Sequence, residues 1–220
     1  MNPFDSALFP LLNRGAANPV FDWIMPRITN LHHLPGFLVV AAILLLWMLV
    51  KGDRRMRIWA GCLVLSISLS DLSAARIVKN LAHRDRPCKI VSVAGALAYP
   101  DTRLVEGEHC PGSASFPSNH AANMMALATV CWWFSRRKSV GVPEEAISQT
   151  RRNWKPFLWF LFPVVIGYSR VYLGYHYPTD VLGGYLLGGG VASIILAIGS
   201  RYIRPNSIEL AEILPSPNEA

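Results

Sequence analysis

The chain has 220 residues, of which 52% are hydrophobic and only 16% charged, against roughly 25% charged in a typical soluble domain. That shortage of charge excludes disorder and coiled coil, and no Gly period points to a collagen-like chain. A mean hydropathy of +0.30 and seven Trp place much of the apolar surface in lipid.

Residues 5–30 come first in chain order. Their apolar residues, among them Leu8, Phe9, Leu12, Phe21 and Trp23, are broken by Asn13, Arg14, Asn18, Pro19 and Asp22. This pattern reads as helices lying in the membrane interface rather than as a span. It lacks the basic start and unbroken apolar core of a signal peptide. Apolar segments then follow at 35–50, 58–78, 121–134, 154–168 and 181–200, the second carrying Asp71 and Arg76. Several fall short of the roughly 20 residues that a full span prefers, so their polar ends must reach the interfaces. The expected fold class is all-α: a polytopic membrane bundle of about five transmembrane helices with N-terminal interfacial helices. Residues 1–34 form the interfacial part, 35–204 the embedded domain, and 205–220, rich in Pro and Glu, a mobile cytoplasmic tail. Glycines 183, 184, 188 and 190 are expected to permit close helix packing.

The net charge of +7 raises the question of nucleic acid, and its distribution answers it. Twelve of the 21 basic residues fall in three short connections or ends: 51–57, 136–155 and 201–204. Apolar spans separate them, as the positive-inside rule expects of cytoplasmic loops. A nucleic-acid face would gather its basic residues on one surface instead. With these three segments inside, residues 79–117 and 169–178 lie outside.

Those two outer connections hold three polar groups: Lys79, Arg84, Arg86 and Pro87; then Pro117, Ser118, Asn119 and His120; then Ser169, Arg170, His176 and Asp180. Their meeting at one face suggests an anion site. Ser118 is placed to cap the helix after Pro117, leaving its first N–H groups to point outward. Lys79, Arg86 and Arg170 add three cations, and guanidinium forks suit phosphate oxygens. Two histidines supply what binding alone does not need, a nucleophile or base and a proton donor. Asp180, four residues after His176, is a natural partner to fix its tautomer.

The run from Lys79 to Arg86-Pro87 resembles the first signature, K-x6-R-P, of the type-2 phosphatidic acid phosphatase and vanadium haloperoxidase superfamily. Pro117-Ser118-Asn119-His120 resembles the second, P-S-G-H, with Asn119 in place of Gly. Ser169-Arg170-x5-His176-x3-Asp180 resembles the third, S-R-x5-H-x3-D. The resemblance implies phosphate ester hydrolysis through a phosphohistidine, with no metal and no cofactor. His176 would attack phosphorus, oriented by Asp180, and His120 would protonate the leaving oxygen. Lys79, Arg86, Arg170, Ser118 and the Asn119 amide would hold the phosphoryl oxygens. The implied protein is a lipid phosphatase of the cytoplasmic (inner) membrane with its site on the outer, periplasmic face. Its partner is a lipid phosphate in the bilayer, not nucleic acid, and its oligomeric state is open. Undecaprenyl diphosphate is the first expectation, beside phosphatidylglycerophosphate, phosphatidic acid and the 1-phosphate of lipid A. A vanadium-dependent haloperoxidase and a non-catalytic lipid-binding protein are the alternatives. The spans oppose the first, and the intact histidines and arginines oppose the second.

Three further readings concern single residues. Asp71, about two turns before Lys79, is costly in lipid and is expected to support the site by hydrogen bonding. His32, His33, His83 and His109 have no partner at useful spacing and read as structural. The connection 88–116 is long for a passive link and is expected to cover the site. Cys88 and Cys110 face the compartment that permits disulfides and are expected to pair, whereas Cys62 and Cys131 fall inside spans.

Overall fold

A computed structural model describes residues 2–31, 34–89, 102–136 and 154–203. The expected tail, residues 90–101 of the expected cover, most of the 136–155 basic segment, His32 and His33 lie outside the described residues. Helix α1 (Pro3–Pro10) starts where the Asn2 side chain accepts from the Asp5 amide at 2.7 Å, with Pro3 in the first turn. Helix α2 (Pro19–Thr29) repeats the device, Asn18 accepting from the Phe21 amide at 2.9 Å. Both use a short side-chain acceptor and a proline whose missing N–H costs nothing at that position.

Helix α3 (Pro35–Lys51) stops at Gly52. Helix α4 (Arg54–Ala82) begins with Asp53 capping the Met56 amide at 2.7 Å. It widens into a π turn at Ser73–Val78 and closes with one α turn, Lys79–Ala82. Helix α5 (Asn119–Arg136) follows, then a 3-10 stretch (Lys155–Phe160) that leads into α6 (Leu161–Tyr172), and finally α7 (Pro178–Ile203). No strand occurs among the described residues.

Helices α4, α5 and α7 pack together around Cys62, Ala126, Val130, Phe134, Ala192 and Leu196. Small residues let α5 and α7 approach closely: a Cβ on Gly188 would stand 1.9 Å from the Ala122 carbonyl oxygen. Gly184 is crowded by the Ser118 carbonyl oxygen at 2.6 Å and Gly183 by the Phe116 ring at 2.4 Å, but Gly190 faces open space and does no packing work. The outer surface is apolar instead of polar, with Leu186 79% exposed and α3 exposed along most of its length. Such a surface belongs against lipid. Two helices, Arg54–Ala82 and Pro178–Tyr202, are long and apolar enough to cross a membrane, and Gly36–Lys51 is a shorter apolar helix.

The N-terminal helices are bound to the bundle by polar contacts. Asn13 is fully buried and donates to the carbonyls of Arg103 (2.9 Å) and Tyr172 (2.7 Å), while accepting from the Arg103 amide at 2.7 Å. Asp22 pairs with Arg103 at 2.5 Å and accepts from the Tyr172 hydroxyl at 2.6 Å. The Arg103 hydrogen bond holds the Asp22 carboxyl below its usual range.

Cys88 and Cys110 form a disulfide, with Cα atoms 5.7 Å apart. Cys88 is buried beside Met25, Val105, Tyr172 and Leu173. Closing a loop of this size stabilises the fold by roughly 3 kcal/mol in the chain-entropy picture. The Cys88→Ser/Cys110→Ser variant is therefore expected to unfold at lower denaturant, and mass spectrometry of alkylated, non-reduced protein is expected to leave both cysteines unlabelled.

A candidate phosphate site at one end of the bundle

The three polar groups of the sequence converge. The end of α4, the start of α5 and the α6–α7 turn surround a cavity of about 670 Å³, lined by Lys79, Arg86, Asn119, His120, Arg170 and His176, among others. Asp71 lies in its wall as well. Ser118 and Asp180 are fully buried and stand behind the lining.

Arg86 follows the end of α4, where His83 turns the chain in the left-handed conformation (φ 44°), and is held on all sides. Its Nε donates to the Ser113 carbonyl (2.8 Å), one terminal nitrogen to Ser113 Oγ (2.9 Å), and the other to the Tyr175 carbonyl (2.9 Å). The last nitrogen also lies 3.0 Å from His176 Nε2. Burial lowers Arg86 to about 10, so it remains a cation at neutral pH. Lys79 Nζ reaches Ser113 Oγ at 3.4 Å. Arg170, 5% exposed, donates to Thr29 Oγ1 (3.1 Å), and its guanidinium sits 4.6 Å above the Tyr175 ring. Tyr175 in turn donates to Glu108, and burial together with that carboxylate raises its hydroxyl.

His176 is 2% exposed. Arg86 can only donate, so His176 Nε2 accepts, and the ring proton belongs on Nδ1. That Nδ1 stands 3.7 Å from Asp180 Oδ2 and has no hydrogen-bond partner among the described residues. The expected contact between the two is therefore an electrostatic approach, not a hydrogen bond. Asp180 is engaged elsewhere: its carboxylate accepts from Ser115 Oγ (2.5 Å), the Tyr177 amide (2.8 Å) and Arg84 (2.6 Å).

Burial, and then the cations Arg86, Arg170 and Lys79, hold the His176 imidazole well below its ordinary range. It is thus neutral, with a lone pair on Nε2, at physiological pH. The unfolded chain protonates near 6.5 and the folded one only at lower pH, so below 6.5 the unfolded state binds the extra proton. Stability is expected to fall as pH drops from about 7, by up to about 1.4 kcal/mol per unit from this group. Thermal unfolding of wild type and His176→Gln between pH 7.5 and 5.5 checks this. The variant is expected to show the shallower decline, and parallel declines contradict the assignment.

Several residues here escaped the sequence reading. Arg84 belongs to the first polar group, and nothing in the local pattern gives it a role. It bridges two fully buried carboxylates, donating to Asp180 Oδ1 at 2.6 Å and to Asp5 Oδ2 at 2.7 Å. Asp5 also accepts from the Thr179 amide (2.9 Å) and hydroxyl (2.5 Å) at the start of α7. Asp5 and Thr29 lie in a segment whose polar residues read only as breaks in an apolar pattern. Ser113 and Ser115 sit in an irregular loop whose pairing no local pattern predicts. His109, read as structural, lies with Glu108 in the cavity wall. Ser118 accepts only distantly from the Ala121 amide, at 3.5 Å, so its expected cap is weak.

Asp71 makes the hydrogen bonds expected of it, with specific partners. Its Oδ1 accepts from the side-chain amides of Asn119 and Asn123, each at 3.0 Å. The residue that departs from the P-S-G-H pattern is thus one that ties α5 to α4.

The arrangement offers cations around a buried, neutral imidazole at the edge of a cavity, with a second histidine in the same wall. Comparison with known proteins agrees in kind. Residues 59–204 match the model of the PAP2 superfamily. The chain is 27% identical over 196 residues to lipid A 4'-phosphatase of Bacteroides thetaiotaomicron, covering 86% of this chain and 74% of that protein. It is 39% identical over 90 residues to undecaprenyl-diphosphatase of Sulfolobus acidocaldarius, a match covering 41% of this chain and 36% of the relative. The crystal structure of Aquifex aeolicus LpxE aligns with a TM-score of 0.59 and 26% identity, covering 90% of this chain and 99% of that one. Matched over two thirds of its length and in its fold, the chain is a member of the PAP2 superfamily and belongs with its membrane lipid phosphatases.

Proposed function

We propose that the protein hydrolyses a phosphate or diphosphate ester of a membrane lipid through a phosphohistidine on His176, without a metal. The observation that carries this reading is the 3.0 Å contact between Arg86 and His176 Nε2. It marks a position where a phosphoryl oxygen can take the Arg86 N–H while phosphorus faces the imidazole lone pair. His176 Nε2 forms the N–P bond as the P–O bond to the leaving group breaks. His120, in the same wall, gives its proton to that oxygen. Water then attacks phosphorus, returns a proton to His120, and the N–P bond breaks to release phosphate. Lys79, Arg86 and Arg170 hold the three phosphoryl oxygens as charge shifts in the transition state. Asp180, bound to Arg84 and 3.7 Å from His176 Nδ1, faces the positive charge that develops on the His176 ring.

The expected topology places this chemistry at the outer face of the cytoplasmic membrane, with the N-terminal helices in the interface and the 88–116 connection as cover. The walls supplied by Glu108, His109, Pro111 and Ser113 support that role for the connection. Undecaprenyl diphosphate enters the test beside phosphatidylglycerophosphate, phosphatidic acid and lipid A. Release of inorganic phosphate from this panel by the detergent-solubilised protein in the presence of a metal chelator is the direct test. Turnover of at least one lipid is expected, and a blank panel from folded protein contradicts the reading.

A further inference from the structure

The cavity has two chemically opposite walls. One holds Lys79, Arg86 and Arg170. The other is formed by Asp71 on α4 and by Asn119 and Asn123, one turn apart on α5. Both amides give their N–H groups to the same Asp71 oxygen, at 3.0 Å each. The amide oxygens of Asn119 and Asn123 are buried and have no hydrogen-bond partner among the described residues. What this wall presents to the cavity is therefore a carboxylate held in place by two side-chain amides.

Its position gives it a role. Asp71 precedes Lys79 by two helical turns, roughly 10 Å towards the middle of the bilayer. Ile67 and Met124 line the cavity on the same side. A lipid with its phosphate among the cations must run back to the bilayer along this side. His120, which faces the leaving oxygen in the proposed reaction, adjoins Asn119 in sequence. The atoms just beyond the scissile bond thus meet Asp71.

We propose that Asp71, fixed by Asn119 and Asn123, is a specificity-determining residue that reads the leaving group. It favours a lipid phosphate monoester whose alcohol carries a hydroxyl or ammonium donor near the scissile bond. It opposes a diphosphate, whose leaving group is itself a phosphate anion beside the carboxylate. Like charges in a confined site discriminate strongly. The inference rests on the phosphatase reading above and changes the order of its substrates: undecaprenyl diphosphate falls behind the hydroxyl-bearing monoesters.

The experiment compares kcat/KM of the full-length protein for phosphatidylglycerophosphate, whose leaving alcohol carries a hydroxyl, and for undecaprenyl diphosphate. Wild type is expected to prefer the monoester at least tenfold. Asp71→Asn, which keeps the shape and removes the charge, is expected to lower that ratio about tenfold, chiefly by faster use of the diphosphate. Asn123→Asp, which adds a charge to the wall, is expected to raise it. A ratio that stays within twofold in both variants overturns the proposal. So does an equal loss on both substrates in Asp71→Asn, which marks mere support of the fold. Failure of wild type to hydrolyse either lipid strikes the phosphatase reading itself, a separate result.

Discussion

His176→Ala is expected to lower phosphate release by roughly 10⁴-fold or more, through kcat rather than KM. The residue supplies the electron pair that displaces the leaving group, and no neighbouring group can replace it. Lys79, Arg86 and Arg170 remain to bind the phosphate, so affinity for the lipid should change little. His176→Gln serves as a second variant because it keeps a neutral polar side chain in the buried position. Steady-state kinetics on whichever lipid of the panel turns over fastest checks both. A loss carried mainly by KM would assign His176 to binding.

The second large effect is on stability. Arg84 is 24% exposed at its side chain, yet it neutralises Asp5 and Asp180, both fully buried. Its guanidinium also stacks 4.2 Å above the Tyr177 ring. Arg84→Met keeps much of the packing and removes the charge, leaving two carboxylates without their cation. Breaking a buried pair from one side costs about 3–5 kcal/mol, and here one cation serves two partners. Arg84→Lys should recover only part of the loss, because one ammonium cannot match the fork that spans both acids. Chemical unfolding in detergent measures this. Near-native stability in Arg84→Met contradicts the account of the network. Asp5→Asn should be milder, since the amide oxygen can still accept from Thr179.

The contrast between these two residues shows what was legible in the sequence. His176 stands in an ordered set of three motifs, and the apolar segments between them fold those motifs to one face. Local pattern sufficed there, because helix ends fix where their first and last residues lie. The same logic read the all-helical bundle from hydropathy, with two of the expected five spans long and apolar enough to cross, and the Cys88–Cys110 disulfide from compartment and loop position. Arg84 and Asp5 differ by 79 positions and meet only because α1 folds back on the start of α7. No periodicity announces such a contact. The i,i+4 spacing of His176 and Asp180 does bring the two side chains together, but not within hydrogen-bond range. Ser115, Arg84 and the Tyr177 amide claim the carboxylate first and leave the ring 3.7 Å away. Asn119 looked like a tolerated departure from glycine. Its tie to Asp71, 48 positions earlier, shows a side chain with a partner of its own.

Rapid quenching of a single turnover with lipid labelled in its phosphate detects a covalent phosphohistidine on His176 if one forms. The account predicts label bound to the protein that is stable in base, lost in acid, and located by peptide mapping at His176. It also predicts that His120→Ala slows both formation and decay of that species. Phosphate released at full rate with no protein-bound label, or label on any residue other than His176, would contradict it.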